Sequence, residues 1–233
     1  MNTRNQLGAV LITLIAICIF ASDTVYGTAQ ESDVLFLDGK ARAILTNPLE
    51  EYLSEHPEKR PTSGSQLTSL WRGYVAKWDI VDDMLSLADI TVRQIRFVDG
   101  ESWPIETASV LSEVFPRQDS VPATWYTGYI IVPDGKRIEY VHMGYGSTYK
   151  RYIVLTVREG RVTQREHFRA KEFREFRLKQ FELYRKTDEY KNELAKLQDG
   201  SDRTKEELED FLFEFLSERY TNLIFDPVSQ PAD

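Results

Sequence analysis

The sequence predicts an α+β protein: a mostly antiparallel β-sheet, sandwich or barrel-like, with a short N-terminal helix and a C-terminal helical hairpin. Three observations carry this. Between Leu67 and Phe168 apolar residues recur with a period of two, Gly- and Asp-containing turns interrupt them at short intervals, and beyond Phe173 the spacing becomes helical.

Val34 to Leu37, ending at Asp38-Gly39, reads as a strand and turn or as a collapsed N-terminal segment. Asn47, Pro48 and Glu50 form a helix start with Leu49, Tyr52 and Leu53 as its apolar stripe, so a helix is expected from Pro48 to Glu55, stopped by Pro57. The polar run 58–66, EKRPTSGSQ, is a connector. Leu70, Arg72, Tyr74, Ala76, Trp78 and Ile80 then share one face of a strand, with Arg72 the lone charge on it. Asp82-Asp83 turns this strand into Leu85 to Val92, and the two aspartates read as turn formers. A further turn is expected at 98–101 and a short helix within 106–114. Thr124 to Val132 is a strand, Pro133-Asp134-Gly135 its hairpin turn, and Arg137 to Met143 the returning partner. Tyr152 to Val157 and Arg161 to Phe168 pair across Glu159-Gly160.

At the end of the chain Phe173 to Leu197 forms one helix and Thr204, with Glu207 as a capping box, starts a second. The wider stripe of the second, Leu208 to Leu223, is expected to face the sheet. The basic run from Arg165 to Lys179, interleaved with glutamates, reads as a solvated face. The chain thus divides into 1–29, a signal; 30–66, helix and connector; 67–168, the β domain; 169–224, the helical hairpin; and 225–233, a tail.

Leu7 to Ala21 is a fifteen-residue uncharged apolar run behind Arg4, and Gly27-Thr28-Ala29 supplies small residues for cleavage before Gln30. It is shorter than the about 20 residues a membrane span needs, so a secretory signal and a periplasmic or secreted protein are expected. The alternative is an inner-membrane tether through an uncut segment. Removing 1–29 takes the only cysteine, Cys18, and one charge of each sign, so the chain that remains has no thiol and keeps a net charge of −8. That excludes disulfides and thiolate metal sites there, and an acidic balance argues against nucleic acid as a partner. No stable membrane span is expected once the signal is cut.

The chemistry-bearing motifs are weak. His142-Met143-Gly144-Tyr145-Gly146-Ser147-Thr148-Tyr149 resembles an anion nest, but a phosphate loop opens a helix and a strand follows here, so a glycine-rich strand connection is the plainer reading. Ser147 and His142 offer a nucleophile and a base without a G-x-S-x-G elbow or a placed carboxylate. His56, His142 and His167 lie too far apart in sequence for a metal motif, and no cofactor is expected. What remains is aromatic density: Trp71, Tyr74, Trp125, Tyr140, Tyr145 and Tyr149, with Arg72, His142 and Ser147 beside them, are the candidate binding residues, since Tyr and Trp make strong contacts to partners and sugars.

Two segments, Trp71-Arg72-Gly73-Tyr74-Val75-Ala76-Lys77-Trp78 and 142–149, resemble signatures of a group of bacterial proteins without an established activity. The likeness spans roughly 48–162, leaves the C-terminal helices outside, and implies kinship rather than chemistry. The expectation is therefore a non-enzymatic envelope protein that binds a protein or envelope component through the edge from Tyr140 to Tyr152, as an immunity or inhibitor protein would. A hydrolase of envelope glycan or ester, acting through His142 and Ser147, is the rival; a structural envelope domain without a ligand is the third reading.

Overall fold

A computed structural model describes residues 28–65, 67–94, 97–98, 101–102 and 106–222. The signal reading, the tail and the end of the last apolar stripe lie outside these residues.

The protein is a mixed α+β fold built on a large, mostly antiparallel sheet. Asp33–Leu37 (β1) and Lys40–Ile44 (β2) pair across Asp38 and Gly39, both at positive φ, so the first apolar run is a strand and turn. β1 then lies parallel to Val75–Val81 (β3), the one parallel pair in the path. β3 turns at Asp82-Asp83, again at positive φ, into the long strand Met84–Gln94 (β4). Phe97–Val98 (β5) and Glu101–Ser102 (β6) form a separate small hairpin. Glu106–Ser109 (β7) and Val121–Pro122 (β8) pair with β4. The helix expected in this region is confined to Leu111–Val114 (α2), because 106–109 are drawn into the β4 ladder.

Gly128–Glu139 (β9), Thr148–Arg158 (β10) and Arg161–Arg169 (β11) complete the path β2-β1-β3-β4-β11-β10-β9. Here the expected hairpin at Pro133-Asp134-Gly135 is corrected: β9 runs straight through it. Asp134 opposes Arg151 and Arg137 opposes Tyr149, so two β9 residues stand against Lys150, a bulge whose positive φ (77°) falls on Gly135. The Asp134 carboxylate is clamped from both sides, by Arg42 at 3.1 Å and Arg151 at 2.9 Å. The reversal comes instead at 140–147.

The sheet curls until its edges meet but does not close into a barrel. Between β2 and β9 the Leu45 amide donates to the Ile131 carbonyl at 2.8 Å, and Arg42 reaches Asp134. A ladder fails to form there because Pro133 has no amide to give and the bulge turns the β9 edge away.

One face of the sheet holds the main core, Leu35, Tyr74, Trp78, Leu87, Ile130 and Ile153 among it, closed by Pro48–Glu55 (α1) through Leu49 and Leu53. Ala170–Tyr184 (α3) covers the other face, where Phe173 stacks on Tyr152 with centroids 3.8 Å apart. Two expectations are corrected here. The first helix, not the last, seats on the sheet, and the long helix is broken: α3 stops at Tyr184, and Thr187 caps a new helix, Asp188–Gln198 (α4), by accepting from the Tyr190 amide. Lys205–Phe215 (α5) begins with the expected Thr204–Glu207 capping box and contributes Leu212 and Phe213 to a cluster with Phe181, Tyr184, Tyr190 and Tyr220. Arg177 departs from the solvated face: it is buried at this joint, donating to the Tyr220 hydroxyl at 3.0 Å and to the Phe213 carbonyl. Among the described residues no helix is long and apolar enough to cross a membrane.

Candidate functional site

The segment before β3 alternates as its sequence requires, although β3 itself starts only at Val75. Leu70, Arg72, Tyr74, Ala76 and Trp78 are all buried, and Trp71, out of phase, is 47 % exposed. A tight turn makes this possible: the Gly73 amide donates to the Leu70 carbonyl at 2.9 Å, and Gly73 takes a φ of +81° that a side chain would resist.

Arg72 is the lone cation on that inward face, and its counterpart is Asp33, the lone charge on the inward face of β1 with Leu35 and Leu37. They meet at 3.0 Å with side chains 1 % and 0 % exposed. Asp33 also accepts from the Ala76 amide at 3.0 Å and from the Trp78 indole at 3.4 Å. Arg72 donates further to the Glu31 carbonyl and, at 2.6 Å, to the Tyr145 hydroxyl, which in turn donates to Asn47 Oδ1 at 2.9 Å. Asn47 therefore sits at the helix N-cap position but commits its side chain to Tyr145 instead of the helix. Beside this chain, Tyr74 donates to Glu50 at 2.8 Å, and Arg60 grips both Glu50 oxygens. Burial pushes the Asp33 carboxyl up, against the pull of Arg72 and its two other donors. Burial is likewise the main influence on Tyr145 and Tyr74, and it raises both phenols. A buried, hydrogen-bonded pair of this kind fixes geometry, since removing either partner leaves the other buried without its counterpart.

The network anchors Trp71. Gln30 straps the Trp71 turn to the glycine loop: its side chain donates to the Thr68 carbonyl at 2.9 Å and accepts from the Trp71 amide at 3.2 Å, while its amide donates to Gly144 at 3.1 Å. The exposed indole consequently stands where three clefts meet. One, about 470 Å3, lies under α1 and carries Glu50, Glu51, Glu189, Glu218 and Arg219. The second, about 660 Å3, runs along 57–64 to Arg72 and Gly73. The third, about 600 Å3, is apolar for the most part, with Met143, Phe211, Phe215 and Leu216 on its walls and Arg203 and Glu218 beside them. Burial, with Glu55 adding repulsion, pushes Glu51 up to about 7, and burial also raises Glu218.

The sequence-predicted residues thus separate. Trp71, Arg72, Tyr74 and Tyr145 come together, Trp71 as surface and the other three as its foundation. Trp125 is elsewhere, stacked on Phe115 and donating to the Pro48 carbonyl at 3.1 Å, where it holds the start of α1. Tyr140 and His142 form an exposed pair joined at 2.7 Å, with Arg137 over the Tyr140 ring. Ser147 does not meet His142: its hydroxyl accepts from the Val141 amide at 3.0 Å and holds the loop. Tyr149 gives its amide to the Tyr152 hydroxyl. Among the described residues no cluster of His, Cys, Asp and Glu has metal-binding geometry.

Sequence reasoning missed Asp33, Phe215 and Glu218, and it gave Asn47 only a capping role. Asp33 was detectable, as a carboxylate in phase with Leu35 and Leu37 that needs a buried cation. Phe215 and Glu218 come from elements distant in sequence from Trp71, and no local pattern links them to it. Comparison with protein-family models, with curated proteins and with solved structures finds no match to this chain.

Proposed function

We propose that the protein is a non-enzymatic binding protein of the bacterial envelope, exported to the periplasm or secreted, that engages a protein partner at the Trp71 ledge as an immunity or inhibitor protein would. The observation that carries this reading is the exposed Trp71 indole, rooted in a buried ion-pair network and standing between an acidic cleft and an apolar groove. Exposed tryptophan on a rigid base is what protein interfaces use as an anchor, because it presents a large area at little entropic cost. The proposed export fits the strap: cleavage after Ala29 leaves Gln30, whose side chain is pinned at both ends. No observation favours the hydrolase reading, since Ser147 and His142 are each bonded to other groups.

The test is capture from envelope extract by the full chain and by Trp71→Ala. An anchor of this class is worth at least about 2 kcal/mol, so the variant should hold its partner about 30-fold more weakly at unchanged thermal stability. Equal capture by both chains, or turnover of glycan or ester substrates abolished by Ser147→Ala, would overturn the reading.

A further inference from the structure

The proposed cut before Gln30 turns an internal glutamine into the first residue of the exported chain. An N-terminal glutamine carries its own reaction partner. Its α-amine can attack the side-chain carbonyl carbon: a new N–Cδ bond closes a lactam ring, the Cδ–Nε2 bond breaks, and Nε2 leaves as ammonia with the proton the amine gives up. No oxidant or other reactant is needed. In this fold the two groups are held by different segments. The Gln30 backbone nitrogen donates to the Gly144 carbonyl at 3.1 Å, whereas Nε2 donates to the Thr68 carbonyl at 2.9 Å and Oε1 accepts from the Trp71 amide at 3.2 Å. The next residue is fixed as well, its amide donating to the Ser69 carbonyl at 2.7 Å and its carbonyl accepting from Arg72 at 2.9 Å. The remaining Nε2 contact, to the Thr28 carbonyl, departs with residues 1–29.

We propose that Gln30 is a modification site gated by the fold: it cyclises to pyroglutamate only when the strap opens, and cyclisation then releases the Trp71 turn for good. Attack on Cδ requires the amine to leave Gly144 and the amide to turn out of the plane that Thr68 and Trp71 fix, so three hydrogen bonds break together. Gln30 is only partly buried, and these bonds rather than burial hold it shut. An opening of that size slows the reaction at least about tenfold relative to an unfolded chain. The lactam cannot rebuild the strap. Nε2 is gone and the remaining oxygen is tied into a ring with the backbone nitrogen, so the Thr68 carbonyl and the Trp71 amide lose their partner and turn to water. The inference rests on the proposed export for the position of the cut, and on nothing else in that reading.

The test follows the intact mass of the chain, exported through its own leader and purified, during incubation at neutral pH in native buffer and in guanidinium chloride, with the free peptide Gln30 to Leu35 as an unstructured reference. The unfolded chain and the peptide should lose one ammonia at similar rates, and the native chain at least about tenfold more slowly. The cyclised chain, refolded beside an uncyclised control, should exchange its Trp71 amide at least about tenfold faster, with the Ile153 amide of the core unchanged. A chain recovered already cyclised, a native chain that cyclises as fast as the peptide, or a cyclised chain whose Trp71 amide exchanges as before would overturn the assignment. Should the cyclised chain not refold, the rate comparison alone decides. The same mass fixes the first residue: a chain beginning elsewhere sinks the cut and the site together, whereas a chain that begins at Gln30 and cyclises freely sinks only the gate.

Discussion

Replacing Arg72 by methionine keeps most of the buried stem and removes the guanidinium, which leaves Asp33 fully buried with no cation beside it. Three donated bonds vanish, to Asp33, the Glu31 carbonyl and Tyr145. The Ala76 amide and Trp78 indole still serve Asp33, so its lone pairs are partly satisfied, but its charge is not. Breaking a buried pair by deleting one member costs about 3–5 kcal/mol, and for a domain of about 200 residues that lowers Tm by about 6–20 °C. The pH dependence has a definite sign. Burial already holds the Asp33 carboxyl above its ordinary value, and without Arg72 it rises further. A carboxyl raised in the folded state favours folding below its unfolded pKa, and that contribution is lost as pH climbs through the folded value. The deficit of Arg72→Met relative to the parent should therefore be largest near neutrality and shrink on acidification. Urea unfolding across pH 5–8, with an unchanged m-value, reads this directly. A loss below about 1 kcal/mol at pH 7, or a deficit that grows as pH falls, would refute the view that Arg72 compensates a buried charge.

Gly144→Ala places a Cβ 2.5 Å from the Phe215 carbonyl at a φ of +51°, so it should cost about 1–3 kcal/mol and loosen the glycine loop from α5, visible as faster amide exchange at Phe215. Thr204→Ala removes the capping hydroxyl that accepts from the Glu207 amide and should cost about 1 kcal/mol in thermal unfolding.

Much of the architecture was readable because it is periodic. The period-two runs located β3, β4, β10 and β11, the short apolar run 34–37 offered β1 as one of two readings, and the residues at Asp38-Gly39, Asp82-Asp83 and Glu159-Gly160 placed the turns, since positive φ there is a local property. The errors came where tertiary contacts overrule local chemistry. Pro133-Asp134-Gly135 has the composition of a turn, yet Arg42 and Arg151 hold Asp134 within a bulged strand, and Arg42 is 92 residues away. Asn47 has the composition of a cap, yet Tyr145 claims its side chain. Tyr145 itself reads as an exposed aromatic beside two glycines and is buried, because its hydroxyl is the relay between Arg72 and Asn47. The candidate site was half visible: the W-R-G-Y alternation and the H-M-G-Y-G-S loop flagged Trp71, Arg72 and Tyr145, while the cleft walls from the last helices carry no sequence signal that links them to Trp71.

The central claim is that a partner protein docks on Trp71. A photo-crosslinking phenylalanine analogue at position 71, compared with the same analogue at Val81, tests it most directly, because Val81 is also exposed but lies at the far end of β3, a strand about 20 Å long that begins beyond Trp71. The account predicts one discrete protein adduct from position 71 in envelope extract and none from position 81. Identical adducts from both positions, or no adduct from position 71, would contradict it.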